Sequence, residues 1–299
     1  MSTTNFVDGS TPIVSTWLND VNSLRYTELI STNTILNVPG TYSTIQSALD
    51  YLSTKRIIGG AIVQIKVADG TYVHSSSINC NHPDGSKIQL IGNETTPTNC
   101  VLTWGSTGAG VDGIVVSDGN SFYINGFHIT RTAHAGTISI GLLSDNHSNI
   151  TCGSKLKVSN WYYGITARNG SFVYCRNSIV DGAGDVGIWA YQGSNIDARN
   201  SVVTNASYSP YGYGIEAEFN SFIDATYASA SGCLIAGIAA LSNSVVRAVS
   251  STASSNLRSG FFARDGGLID AQGSSGFNTV NSSNTTYGME LITNGKIFT

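Results

Sequence analysis

Apolar and polar residues alternate in a short segment that recurs along the second half of the chain. Each copy opens with a glycine, as in Gly187-Ile188-Trp189-Ala190, and successive copies start 23 to 28 residues apart. Alternation with a period of two is typical of a β-strand with one buried face. Such short strands cannot enclose a core within one repeat, so the copies are expected to stack and share one. The opening glycines are Gly113, Gly141, Gly164, Gly187, Gly214, Gly237, Gly260 and Gly288.

A second short strand follows most of these segments and repeats the same kinds of side chain. Its first inward position is always β-branched, and the inward position two residues later is always small. Columns of like residues predict an all-β fold, a single-stranded parallel β-helix in which each coil pairs with the next. Leucine-rich repeats share the period, but their leucine consensus is absent. The β-branched column is Ile150, Val173, Ile196, Ile223, Val246 and Ile269, and the small column is Cys152, Cys175, Ala198, Ala225, Ala248 and Ala271.

The residues ahead of the repeats predict a cap and the opening coils. Ser43 and Gln46 have the spacing of a capping box and precede an amphipathic helix. This helix would cover the first coil, whose strand edge would otherwise face water. We therefore divide the chain into a short helical segment (residues 1–30), a capping helix with the opening coils (31–112) and the regular coils (113–299). The apolar face of the capping helix is Ile45, Ala48, Leu49 and Leu52.

The composition narrows the class of protein. Charged residues make up 11% and hydrophobic residues 41% of the chain, which excludes the highly charged, disordered type. A net charge of −4 predicts no nucleic-acid surface, and no apolar run reaches the ~18 residues of a membrane span. The first residues lack the pattern of a signal peptide. The cysteines follow no CxxC spacing and the histidines no HxxxH spacing, so we expect buried free thiols, no metal and no cofactor.

The opening coils resemble those of pectin-lyase-like right-handed β-helix proteins. The resemblance rests on residues 42–49 (YSTIQSAL), 69–72 (DGTY) and 88–92 (IQLIG). It implies a right-handed parallel β-helix and says nothing about function.

The first 26 residues resemble the virion-attachment segment of tailspikes and tail fibres of short-tailed bacteriophages. The resemblance rests on residues 6–12 (FVDGSTP) and 17–22 (WLNDVN) and points to Phe6, Trp17 and Leu18 as attachment residues. The two resemblances together imply a bacteriophage tailspike or tail fibre. Such a protein is a homotrimer made in the host cytoplasm and held on the virion by tail or portal-adaptor proteins, and its β-helix meets host surface polysaccharide. The helical spacing of the apolar residues leaves an ordinary first helix as the alternative.

Outward side chains of the glycine-led strands can be aligned from coil to coil, about 4.8 Å apart. In the middle coils this alignment brings aromatic and charged residues to one patch. A longer loop lies beside this patch, in the 27-residue interval between Gly187 and Gly214. Aromatic rings stack on the apolar faces of sugars, so the patch predicts a polysaccharide-binding surface. The predicted binding residues are Arg168, Trp189, Tyr191, Tyr211 and Tyr213.

The same patch contains candidate catalytic carboxylates. Glu216 and Glu218 are two residues apart on one strand, which places their Cα atoms about 6.5–7 Å apart. Their carboxyl groups could then reach the separations that retaining or inverting glycosidases use, and neighbouring like charges raise one pKa, as a general acid requires. Asp185 is a further candidate, and Arg168 could supply the neutralising cation of a lyase. The alternatives are solvated surface charge, a trimer contact, or sugar binding without catalysis.

Farther along the chain the same columns become apolar, with Leu241, Phe262 and Ile292. An exposed apolar stripe predicts a subunit interface. The regular coils run almost to the last residue, so any trimer is expected to form through the β-helix walls or the N-terminal segment. Four functions stay open: a glycan-binding tailspike or tail fibre, an endo-acting polysaccharide hydrolase or lyase, a purely structural virion component, and a free bacterial β-helix protein.

Overall fold

The computed structural model describes residues 28–105, 110–132, 138–207, 212–276, 289–292 and 294–299. Within these residues the chain forms a parallel β-solenoid of about nine turns with one short α-helix. Three parallel sheets of eleven, seven and nine strands form the walls, and the nine-stranded sheet is called the site wall below. The prediction of an all-β parallel β-helix is confirmed.

The strands are numbered in chain order, and successive coils contribute neighbouring strands to each sheet. The eleven-stranded sheet contains β2 (Thr34–Val38), β4 (Val63–Val67), β7 (Ile88–Ile91), β10 (Ser121–Asn125), β13 (Asn149–Cys152), β16 (Phe172–Tyr174), β19 (Asn195–Asp197), β22 (Phe222–Asp224), β25 (Val245–Arg247), β27 (Leu268–Asp270) and β29 (Lys296–Phe298). The seven-stranded sheet contains β5 (Gly70–His74), β8 (Cys100–Trp104), β11 (Phe127–Arg131), β14 (Leu156–Ser159), β17 (Ile179–Asp181), β20 (Val202–Thr204) and β23 (Ser229–Ser231). The site wall contains β6 (Ile78–Asn79), β9 (Ile114–Val116), β12 (Ile140–Ser144), β15 (Tyr163–Arg168), β18 (Val186–Tyr191), β21 (Tyr213–Glu218), β24 (Ala236–Ala240), β26 (Ser259–Arg264) and β28 (Met289–Ile292).

Like residues stack above one another as the alternation predicts. On the site wall, Ile188 pairs with Ile215, and Ile215 with Ile238, and all three side chains are fully buried. The β-branched and small columns of the eleven-stranded sheet are buried as well. One continuous apolar axis therefore runs through the coils, and the intervening residues of each strand face outward.

The recurring glycines mark a corner where successive coils come closest. A Cβ atom on Gly187 would lie 2.3 Å from Val203 Cγ1 and 2.6 Å from the carbonyl oxygen of Gly214. A Cβ atom on Gly214 would meet the carbonyl oxygen of Gly237 at 2.6 Å in the same way. Close-packed interiors leave no room for such overlaps. Glycine is the second residue of each of these wall strands because the next coil occupies the space of a side chain.

The capping helix α1 (Ile45–Leu52) starts one residue later than the predicted capping box implies. Thr44 is the N-cap, since its backbone is extended and its hydroxyl accepts a hydrogen bond from the Ser47 amide at 3.0 Å. The Ser47 hydroxyl in turn accepts from the Thr44 amide at 3.1 Å. The predicted Ser43–Gln46 box is therefore wrong, whereas the predicted apolar face is confirmed. That face is Ile45, Ala48, Leu49 and Leu52, all buried.

The N-terminal predictions fall mostly outside the described residues. Phe6, Trp17 and Leu18 lie there, so virion attachment stays a prediction. Only the end of the segment is described, as strand β1 (Glu28–Ile30) paired in parallel with β3 (Lys55–Ile57). Two short 3-10 helices, Gly85–Lys87 and Pro97–Asn99, complete the described elements.

All five cysteines are free and buried, as expected. Among the residues that the structure describes, no helix is long and apolar enough to cross a membrane.

The predicted apolar interface is not an exposed stripe. Leu241 and Phe262 are each only 2% exposed and form a small cluster with Ala236 and Ala239. The two alanines leave space on the outer face of their coil, and the larger side chains of Leu241 and Phe262 fill it. The expectation that these side chains are exposed is therefore wrong. Ile292 belongs to β28, where its backbone pairs in register with Arg264.

Candidate functional site

An open cleft of about 400 Å³ lies on the site wall, and three carboxyl groups line it: Asp185, Glu216 and Glu218. Strand β21 supplies both glutamates from outward positions of the same strand. Asp185 directly precedes the neighbouring strand β18, so it reaches the cleft from the adjacent coil. The structure thus brings together the three carboxylates that the sequence singles out.

Glu216 is the most buried of these groups, with 4% of its surface exposed. In its column it lies between Trp189 on one neighbouring coil and Ala239 on the other. Burial raises its pKa well above the ordinary range, and the negative charges of Glu218 and Asp185 raise this pKa further. Glu216 is therefore the carboxyl group that keeps its proton, and it is not the solvated surface charge considered as an alternative.

Asp185 and Glu218 have less extreme environments. Burial raises the pKa of Asp185 to about 6, although the Tyr163 hydroxyl donates a hydrogen bond that stabilises its ionised form. Burial also raises the pKa of Glu218, and the positive charge of Arg264 opposes this shift. The cleft thus combines a carboxyl group whose pKa is raised well above its usual range with one that ionises above about pH 6, which is the division that acid–base catalysis requires.

A ribbon of four aromatic rings runs beside the carboxyl groups, and we call it the aromatic ribbon. The Tyr163 and Trp189 rings stack with centroids 4.5 Å apart, and the Trp189 and Tyr191 centroids are also 4.5 Å apart. The Tyr191 and Phe219 rings are perpendicular, with centroids 5.3 Å apart. Aromatic faces provide large, rigid, apolar surface. Such surface suits the C–H faces of sugar rings, in a cleft whose carboxyl groups can bond their hydroxyls.

The sequence pattern did not identify two of these rings, Tyr163 and Phe219. Tyr163 directly precedes Gly164, one of the recurring glycines. The residues that precede these glycines form an outward column of their own, which includes Val186 and Tyr213. Alignment of this column would have revealed Tyr163. Phe219 follows the end of β21 in a turn, where period-two alternation no longer applies.

Of the remaining predicted binding residues, only one lines the cleft. Tyr213 lines the cleft and lies against Phe262, with ring centroids 6.2 Å apart. Tyr211 lies outside the described residues. Arg168 is not among the residues that line the cleft, because its guanidinium pairs with Asp145 at 2.8 Å on the adjacent coil.

Arg264 is the arginine that lines the cleft. It lies two coils beyond Glu218, since β26 follows β24 and β21 in the site wall. Its charge lowers the pKa values of Glu216 and Glu218 against the effect of burial. The expectation that Arg168 supplies the cation of this patch is therefore wrong: a carboxylate directly beside it in its own column holds it instead.

The described strands define the class of this chain as a parallel β-helix. No protein-family model matches the chain, and no curated protein sequence matches it. Solved structures that are similar include the pectate lyase Pel9A, at 12% identity and a TM-score of 0.48 over 89% of this chain and 83% of that one. The periplasmic alginate epimerase AlgG has 13% identity and a TM-score of 0.44, over 90% and 68% of the two chains. The catalytic domain of a GH87 α-1,3-glucanase in complex with nigerose has 13% identity and a TM-score of 0.40, over 87% and 66%.

Proposed function

We propose that this chain hydrolyses a polysaccharide in the site-wall cleft, as the glycan-recognising part of a trimeric bacteriophage tailspike or tail fibre. The observation that carries the catalytic part is Glu216, a buried carboxyl group with a raised pKa, beside two further carboxyl groups and the aromatic ribbon. A purely structural component has no need of three interacting carboxyl groups in one cleft, because each raises the cost of ionising the others.

In the proposed reaction Glu216 donates its proton to the glycosidic oxygen. The bond between this oxygen and the anomeric carbon breaks, and positive charge develops on the sugar ring. Asp185, ionised above about pH 6, faces that charge as a carboxylate and is held in place by the Tyr163 hydroxyl. Water completes the reaction: its hydroxyl joins the anomeric carbon, and its remaining proton replaces the one that Glu216 donated.

The test is a panel of purified bacterial capsular and O-antigen polysaccharides incubated with the chain. We expect at least one polysaccharide to yield oligosaccharides with new reducing ends and the mass of added water. Products that absorb ultraviolet light through an unsaturated sugar would show a lyase instead. Binding without any release of oligosaccharides would contradict hydrolysis and leave a glycan-binding protein.

Attachment to the virion is tested separately, since it rests on residues 6–12 and 17–22. A variant that lacks residues 1–26 is expected to keep the glycan activity of the full chain and to lose assembly onto phage tails. Light scattering of the full chain should show a homotrimer. A truncated variant that still assembles onto tails would place the attachment elsewhere.

A further inference from the structure

One turn of the site wall has an unexpected residue. After each of six successive wall strands the chain turns through two residues with positive φ. This backbone conformation is strained for large side chains, and glycine, asparagine and aspartate accept it best. Phe219, with a φ of 52°, occupies the first of the two positions in its turn. The equivalent residues of the other coils are all polar: Asn146, Asn169, Gln192, Ser242 and Asp265.

Core packing does not explain this phenylalanine, because 44% of its surface is exposed. Its ring is perpendicular to that of Tyr191, with an angle of 88° between the ring planes, and forms the last member of the aromatic ribbon. Phe219 thus combines a positive φ with an exposed ring, and its ring contact lies in the aromatic ribbon. Strain of this kind is retained where a function uses it.

A second open recess adjoins the ring. Its volume is about 480 Å³, and Tyr191, Gln192, Gly193, Phe219 and Asn220 line it. Tyr191 and Phe219 also line the cleft that contains the carboxyl groups. The two recesses therefore adjoin each other and share the Tyr191 and Phe219 rings as lining.

We propose that Tyr191 and Phe219 form a sugar subsite next to the catalytic cleft; this inference rests on the proposed polysaccharide function. A pyranose ring stacks on the Phe219 face, and the side-chain amides of Gln192 and Asn220 flank it as donors and acceptors for its hydroxyls. The next sugar along the polymer then lies over Glu216. The substrate is thus a polymer that extends past the scission point, and a single sugar unit is a poor ligand.

The test replaces Phe219 with the residue that two other coils have at this position. Phe219→Asn removes the ring and relieves the strained backbone, so we expect an equal or higher melting temperature and weaker binding by about tenfold. Binding is measured in a Glu216→Gln background, to prevent cleavage, on an array of immobilised bacterial capsular and O-antigen polysaccharides. The control is Phe172→Asn, which removes a ring that is 42% exposed on β16 of a different wall and should leave binding unchanged.

The possible results separate the two proposals. Binding by Phe219→Asn at full strength would overturn the subsite, while cleavage by the unaltered chain would leave the proposed hydrolysis intact. A clear fall in melting temperature would also overturn it, because the ring would then serve the fold. If the Glu216→Gln chain bound none of the polysaccharides and the unaltered chain cleaved none, the proposed function would fail, and the subsite with it.

Discussion

Replacing Glu216 with glutamine should lower the rate of polysaccharide cleavage by about 10²- to 10⁴-fold, the usual contribution of a general acid. Glutamine has nearly the same shape but no proton to donate to the glycosidic oxygen. The measurement is the initial rate at which new reducing ends form on a polysaccharide that the unaltered chain degrades. A variant that keeps its full rate would remove Glu216 from the reaction.

The pH profile distinguishes the roles of the carboxyl groups. Activity of the unaltered chain is expected to fall below about pH 6, where Asp185 takes up a proton, and to fall again at higher pH, where Glu216 ionises at its raised pKa. Asp185→Asn should have low activity at every pH and no acidic limb near pH 6. Glu218→Gln removes a negative charge that raises the pKa of Glu216, so it should shift the upper limb of the profile to lower pH.

Unfolding experiments provide the structural control for Glu216→Gln. Between the ordinary glutamate pKa and the raised pKa of the folded state, the folded chain holds a proton that the unfolded chain has released. The free energy of unfolding therefore falls as pH rises through this range. Glutamine has no such dependence, so the variant should match the unaltered chain near pH 4 and be more stable at pH 8. Urea unfolding at both pH values checks this, and a less stable variant at pH 8 would contradict the raised pKa.

Replacing Gly187 with alanine is expected to destabilise the chain by about 3 kcal/mol, the upper part of the range for overpacked sites. The added Cβ would lie 2.3 Å from Val203 Cγ1 and 2.6 Å from the Gly214 carbonyl oxygen. One of these atoms belongs to the backbone of the next coil, so the overlap cannot be relieved by a side-chain rotation alone. Urea unfolding at neutral pH measures the change.

Gly60→Ala is the matched control for this prediction. No atom lies within 4 Å of a Cβ at position 60, and its φ is not positive. Its stability should be unchanged or higher by up to ~1 kcal/mol, because alanine restricts the unfolded chain. Adding Val203→Ala to Gly187→Ala should recover part of the loss. Equal stability of Gly187→Ala and Gly60→Ala would show that the coils are more widely spaced at this corner.

The sequence by itself determined the coils, their register and the inward columns. Alternation with a period of two assigns each residue that follows the glycine of a wall strand to one face, and the repeated glycine sets the same starting point in each coil. Ile188 and Ile215 therefore stack as predicted, and Glu216 lies beside Trp189. The capping helix was predicted from its apolar face. Its first residue depends on whether Ser43 or Thr44 has the extended backbone of the N-cap, which the sequence pattern does not decide.

Only the tertiary structure decided how deep each outward side chain lies and which groups meet. Depth depends on the size of residues one coil away: Ala239 leaves space that Phe262 fills, and Glu216 is buried beside Trp189. Charge pairing follows distance in space, so Asp145 holds Arg168 while Arg264 takes its place in the cleft. These relations join residues in different coils, and alternation along one strand carries no information about them.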